Sequence, residues 1–259
     1  MEQFQQQMDV IGNNLANVNT TGFKGARVDF ADALSQTLQG PSPAGSIQVG
    51  TGLGTSAIAN QFDQGAITQT GGTNDLAISG NGFFEVKDPT TGATYVTRAG
   101  DFNVDTNGYL VTSTGMRVQG YTDTALSTIG DIKIDNNGAA SPVKGWSFSN
   151  DGKVNVLLDD GTLSVRAQVL LQNFTSPTAL IKEGNNLYSG MSAAGPVGTL
   201  SATGTNGNGT LVPRSLEMSN VDLAGEFSSM ITSQRAFQAS ARVITTSDEI
   251  LQELVNLKH

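Results

Sequence analysis

From Ser219 to Lys258 the sequence has no proline and a single glycine, Gly225. Leu223, Phe227, Met230, Gln234, Phe237, Ala241, Ile244, Asp248, Leu251, Val255 and Lys258 follow one another at steps of four and three, and eight of these eleven are apolar. An average step of 3.5 residues is the seam period of a coiled coil. Ser219 with Asp222 forms S-x-x-D, the expected cap of the helix start. A continuous helix of about 38 residues within 219–258 is about 57 Å long, more than the roughly 30–40 Å width of one compact domain. A stripe of that length asks for partner helices, with packing onto the chain's own β domain as the alternative.

The opposite end carries a matching signal. Phe4, Met8, Ile11 and Leu15 step by four, three and four, which places them on one side of a short helix over 1–18. Asn17, Asn19, Thr20, Thr21 and Gly22 stop it. A second helical turn is expected around Phe30–Leu38. The Gly/Ser/Pro-rich run at 40–56 reads as an extended connector. The simplest cover for the two terminal stripes is each other together with copies from other molecules.

Between these ends the texture is β. Short apolar runs (Leu76–Ile78, Phe83–Val86, Tyr109–Val111, Met116–Val118) alternate with turn pairs such as Thr91–Gly92, Asn107–Gly108, Thr114–Gly115, Asn137–Gly138, Asp151–Gly152 and Asp160–Gly161. Strand-sized runs at this spacing indicate a sandwich or barrel rather than βαβ units. The fold class expected is mainly β with terminal α-helices: an all-β central domain, sandwich- or barrel-like, plus an N- and C-terminal helical coiled-coil region. The boundaries expected are 1–38 with 219–259 for the helical assembly region, 39–68 for the connector and 69–218 for the β domain.

Composition argues against an enzyme. Of 259 residues 37% are hydrophobic, 6% aromatic and 14% charged, with 31 glycines; globular domains average roughly 45–50% apolar and 25% charged. There is no cysteine, and the one histidine is His259, so thiolate chemistry, a Ser–His–Asp triad and a multi-His metal site are excluded. A net charge of −9 disfavours nucleic acid as a partner. No run approaches the roughly 20 apolar residues of a membrane span, so an integral membrane protein is not expected, and no secretory signal is visible at the N-terminus. No cofactor or metal is expected. Asp105–Gly108 and Asp135–Gly138 have the look of calcium-loop fragments, but position 12 is Met116 or Trp146 where a bidentate Glu belongs; hairpin turns are the better reading. Gly50–Gly54 lacks the lysine of a phosphate loop. Trp146 is expected in the β core rather than on a sugar-stacking platform.

The run MDVIGNNLANVNTTGFK at 8–24 resembles the N-terminal signature of the bacterial flagellar axial proteins of rod, hook and hook-associated type. NDLAISGNGFFEV at 74–86 and TRAGDFNVDTNGYLVTSTGMRVQGY at 97–121 resemble the first β domain of the hook and distal-rod members, and the run from Leu216 to Lys258 resembles their C-terminal helix. The ending ITTSDEILQELVNLK and the phrase GMRVQGY resemble the compact hook members more than the distal-rod ones. Fewer residues precede Met8 than is usual in the family, so the first helix is expected to be short beside its relatives.

The resemblance implies a structural subunit exported through the flagellar type III apparatus and polymerising into the tubular hook, with a distal-rod subunit as the alternative. Implied partners are further copies of itself in a helical homopolymer, neighbouring rod, hook-cap and hook–filament junction proteins, and the export apparatus. The implied location is the flagellum, beyond the cytoplasmic membrane. The assembly interface expected comprises Phe4, Met8, Ile11, Leu15, Leu223, Phe227, Met230, Phe237, Ile244, Leu251 and Val255. The free helical ends are expected to order on assembly. Two readings from other classes stay open: a secreted carbohydrate-binding or adhesin-like β domain with an exposed aromatic platform, and a hydrolase using two carboxylates in a cleft.

Overall fold

The computed structural model describes residues 2–39, 47–50, 52–135 and 142–257. Three α-helices occur among them: α1 (Glu2–Ala16), the short α2 (Met191–Ala194) and α3 (Leu223–Asn256). The chain divides into a first unit of 1–18, 25–61 and 221–259, and a second of 19–24 and 62–220. No helix is long and apolar enough to cross a membrane among the described residues.

In the first unit, α1 packs on α3 and on the strand Ala26–Asp32. The expected stripe is its least exposed side: Ile11 is 5% exposed, and Phe4, Met8 and Leu15 are half-buried. Asn14 adds a polar tie. Its Nδ2 donates to the Ala26 carbonyl at 2.8 Å and to Glu226 Oε1 at 2.9 Å, and its Oδ1 accepts from Ala26 N at 3.0 Å. One buried amide thereby joins helix, strand and helix.

The helical turn expected around Phe30–Leu38 is not there. Ala26–Asp32 is a strand paired antiparallel with Leu53–Asn60, with an irregularity between Asp29 and Phe30, and Ser35–Gln39 pairs with Ile47–Gly50. The segment 26–32 shows neither clean alternation nor a helical stripe in its burial, so its conformation comes from backbone pairing across sequence distance, which local apolar spacing does not encode. Leu53–Asn60 lies inside the stretch expected as a connector; 40–46 lies outside the described residues.

The helix α3 starts later than expected. Its cap is Asp222, whose Oδ1 accepts from Ala224 N at 3.1 Å, not Ser219. Residues 218–222 form no regular element ahead of it, and Asp222 itself has extended backbone, so the carboxylate that S-x-x-D places inside the first turn stands before it and caps from there. With 34 residues, α3 is about 51 Å long.

The second unit centres on an antiparallel sheet ordered Val143–Phe148, Lys153–Leu158, Leu163–Val169, Arg117–Tyr121, Phe83–Lys87, Thr94–Thr97, Leu187–Ser189, Ile181–Gly184. Thr91–Gly92, Asn107–Gly108, Thr114–Gly115, Asp151–Gly152 and Asp160–Gly161 each lie in the loop of a paired hairpin, as their turn chemistry predicts. Asp105 behaves as a turn residue, its Oδ1 accepting from Asn107 N and Tyr109 N at 2.8 Å each. Asn137–Gly138 falls outside the described residues.

Alternation splits this unit's apolar residues between two cores. Phe84 and Val86 face the larger one with Leu76, Phe102, Val118 and Val156, against which Trp146 packs. Phe83 faces a smaller one with Val96, Phe174, Leu180, Tyr188 and Ala194. Trp146 stacks edge-on to Phe148 at 5.1 Å and belongs to the core as expected.

Candidate assembly surface

The features that set this molecule apart are an uncovered helix face in one unit and a buried charge cluster in the other. In α3 the least exposed line runs Glu226, Met230, Ser233, Phe237, Ser240, with Ser233 buried and the others half-buried. This line is rotated by one residue from the expected seam: Glu226 and Ser233 lie inward, while Phe227 and Gln234 face out. The Asn14–Glu226 bond fixes that rotation. Small hydroxyl residues are tolerated inside because each satisfies itself within the helix; Ser233 Oγ donates to Ser229 O at 2.8 Å and Ser240 Oγ to Ala236 O at 2.9 Å.

Length decides how much of α3 this packing covers. The 15 residues of α1 span about 22 Å, under half of α3, and no residue beyond Ala241 is buried or half-buried among those described. There Ile244, Leu251 and Val255 form one exposed heptad line, and Val243, Ile250, Leu254 and Leu257 form a second beside it. Leu251 is 60% exposed, Val255 63% and Leu257 82%.

The expected interface residues are thus divided. Phe4, Met8, Ile11 and Leu15 face their own chain, Met230 and Phe237 are half-buried, and Leu223, Phe227, Ile244, Leu251 and Val255 are exposed. The second line lies one residue off the register that the steps of three and four from Leu223 define. Reading positions i and i+1 together shows a face two residues wide, broader than a two-helix seam.

In the second unit Glu217 gathers the chain segments that lead to and from the helices. Its Oε1 accepts from Lys24 Nζ at 2.6 Å and from Gly65 N at 3.0 Å, its Oε2 from Arg98 Nη1 at 3.2 Å, and its backbone carbonyl from Gly22 N at 2.7 Å. Lys24 also donates to the Asp63 carbonyl at 2.7 Å, and Arg98 Nη2 to the Gly80 carbonyl at 3.0 Å. Gly22 takes a left-handed φ of +67°, and a Cβ there would lie 2.5 Å from Ala99 N, so only glycine fits. Burial pulls the Lys24 ammonium below the usual lysine value against the opposing pull of Glu217, and does the same to Arg98. Two cations share one carboxylate, and Arg98 also lies over the Phe83 ring at 5.0 Å. Nothing in the sequence marks these three charges as buried.

The described residues also bring one carboxylate pair together at a cleft of about 340 Å³, where Asp75 and Asp101 are partners in an isolated antiparallel bridge outside the strands. Burial, with the Asp75 charge adding to it, raises the Asp101 carboxyl above its usual range. Asp75 Oδ2 is already engaged by the Thr70 hydroxyl, and the one aromatic in the wall, Phe102, is buried in the larger core. The cleft therefore offers no exposed ring for a sugar to stack on.

Three family models match the sequence. Residues 1–24 match "Flagella basal body rod protein", 77–156 match "Flagellar hook protein FlgE/F/G D1 domain", and 212–257 match "Flagellar basal body rod FlgEFG protein C-terminal". The flagellar basal-body rod protein FlgG of Bacillus subtilis is 43% identical over 265 residues, covering 100% of this chain and 96% of the relative. A Buchnera aphidicola FlgG is 37% identical, covering 96% and 93%. The flagellar hook protein FlgE of Borreliella burgdorferi is 25% identical, covering 100% and 98%.

Proposed function

Because the chain belongs to the flagellar basal-body rod and hook family, we propose that it is a subunit of the distal rod, the straight shaft of the basal body. The observation that carries this reading is whole-length similarity to rod proteins named FlgG at 37–43% identity, against 25% for the hook protein. It replaces the hook subunit favoured by the local phrases GMRVQGY and ITTSDEILQELVNLK. Similarity summed over the whole chain outweighs two short runs, one of which lies in a helix whose heptads rod and hook members both need.

In this reading the subunit is exported unfolded and polymerises head to tail. The exposed lines of α3 bury against neighbouring copies, giving an inner helical layer, and the β unit forms the outer one. A repeated contact that does not close on itself generates a filament. No step calls for a catalytic residue or a cofactor.

Localisation tests it. A tagged copy restoring motility to a strain without its own gene should appear, by electron cryotomography, in the straight segment within the envelope. Label in the curved segment outside the cell would return the hook assignment; label in neither would remove both.

A further inference from the structure

Along the strand Phe83–Lys87, Phe84 and Val86 enter the larger core, while Phe83 enters the smaller one. Glu85 follows Phe83 on that second face, opposite Val96 in register. The alternation asks for an apolar residue there, and the sequence supplies a carboxylate. Glu85 opens onto a groove of about 380 Å³ walled by Ile129, Phe174, Met191, Pro196 and Leu200. Among the described residues its carboxylate has neither a hydrogen bond nor an ion pair. Burial alone pushes its carboxyl above the usual glutamate range, with no neighbouring charge contributing.

We propose that this groove receives a Lys or Arg side chain from a second copy of the chain. A purely apolar guest would seal the carboxylate away from water unpaired. A metal ion would leave the apolar walls unused, and no group of three candidate ligands exists among the described residues. A long basic side chain meets both demands, its methylenes lying along Phe174, Met191 and Leu200 and its charged head reaching Glu85.

The β unit displays suitable donors. Arg214 and Lys144 are its exposed basic residues among those described. Arg214 is held in the left-handed region at φ 57°, its N donating to the Asp75 carbonyl at 2.8 Å and its carbonyl accepting from Thr70 N at 3.0 Å. Lys144 sits at the register shift between Val143 and Gly145 on an edge strand, where a bulge re-aims the side chain. A groove on one copy and a cation on the next form a heterologous contact, the kind that propagates. The inference rests on the homopolymer reading above and adds a contact between β units to it.

The chain has no cysteine, so introduced thiols are unambiguous. In a strain lacking its own copy, the full chain would carry Glu85→Cys with Arg214→Cys, or with Lys144→Cys, and cells would be treated with a short bis-maleimide. A ladder of linked multimers from either pair is the expected result. Glu85→Arg should lower incorporation into isolated basal bodies at least tenfold, and Arg214→Glu or Lys144→Glu should restore it. Absence of a ladder from both pairs, with Glu85→Gln and Glu85→Arg incorporated at the wild-type level, overturns the proposal. If the unaltered chain itself builds no basal-body structure, the polymer reading fails first.

Discussion

Lys24 and Glu217 stand 193 positions apart in sequence, yet Nζ and Oε1 meet at 2.6 Å with both side chains wholly shielded from solvent. The contact sits beside two of the points where the chain passes from the second unit into the first. Residue 24 precedes the strand Ala26–Asp32, and residue 217 precedes the irregular lead into α3.

Removing the two partners should not cost the same. Glu217→Gln leaves two buried cations sharing no anion, and breaking a buried pair this way costs about 3–5 kcal/mol. At roughly 2–4 °C per kcal/mol for a chain of this size, Tm should fall by about 6–20 °C. Lys24→Met leaves a balanced Arg98–Glu217 pair, and the Asp63 carbonyl keeps its bond from Asn220 Nδ2 at 3.1 Å. Its cost should be less than half as large. Thermal unfolding of the two purified variants checks this, and equal losses would refute the three-charge account.

Leu251→Asp and Val255→Asp test the open face of α3. Both residues are exposed, and substitutions at such positions usually change stability by less than about 0.5 kcal/mol. The folded subunit should therefore survive unchanged by circular dichroism while assembly into the proposed polymer is lost. Ile11→Ala, a buried site, should instead cost about 2–5 kcal/mol of stability. A Leu251→Asp strain that swims normally would remove this face from the assembly surface.

Asp123 provides a pH readout. Ser127 donates to its carboxylate through N–H at 2.8 Å and Oγ at 2.6 Å, and these bonds bring the carboxyl from 3.8 down to about 2. A depressed folded value stabilises the native state above the unfolded value, and the contribution disappears as pH falls through the folded one. Carboxyl NMR titration should find a midpoint near 2 in the wild type, returning toward the ordinary aspartate range in Ser127→Ala.

Glu85 runs in the opposite sense. Burial raises its folded value above 4.5, so the native state holds its proton longer than the unfolded chain does. Stability is greatest below the unfolded value and falls as pH rises through the window above it. Glu85→Gln should accordingly raise Tm at pH 7 and leave it nearly unchanged at pH 4. A variant more stable alone yet poorer in assembly marks a residue kept for contact rather than folding; unchanged Tm at pH 7 would contradict the burial argument.

How far the sequence carries the fold can be seen residue by residue. The stripe Phe4, Met8, Ile11, Leu15 and the heptads of α3 were legible because apolar spacing records the helical period directly. The hairpins at Asn107–Gly108 and Asp151–Gly152 were legible because their residues tolerate the turn backbone. The strand Ala26–Asp32 was not, since its partner Leu53–Asn60 is distant and rich in small residues. The cap of α3 falls three positions past Ser219, at Asp222, because both ends of S-x-x-D are residues able to cap a helix. The hardest feature was the cluster of Lys24, Arg98 and Glu217: charged residues are read as surface, and only their meeting across distant segments makes burial tolerable.

Just Met218–Asp222 separates that cluster from the first turn of α3. A pull arriving along α3 is taken up first by the bonds of Asn220 to the Asp63 carbonyl and of Met218 N to the Ala66 carbonyl, and then at Glu217 passes into the stretches around Gly22, Gly65 and Arg98. Several lengths of covalent chain then share such a pull in parallel, like the plies of a rope, so that no single strand need peel away before the others take up the load.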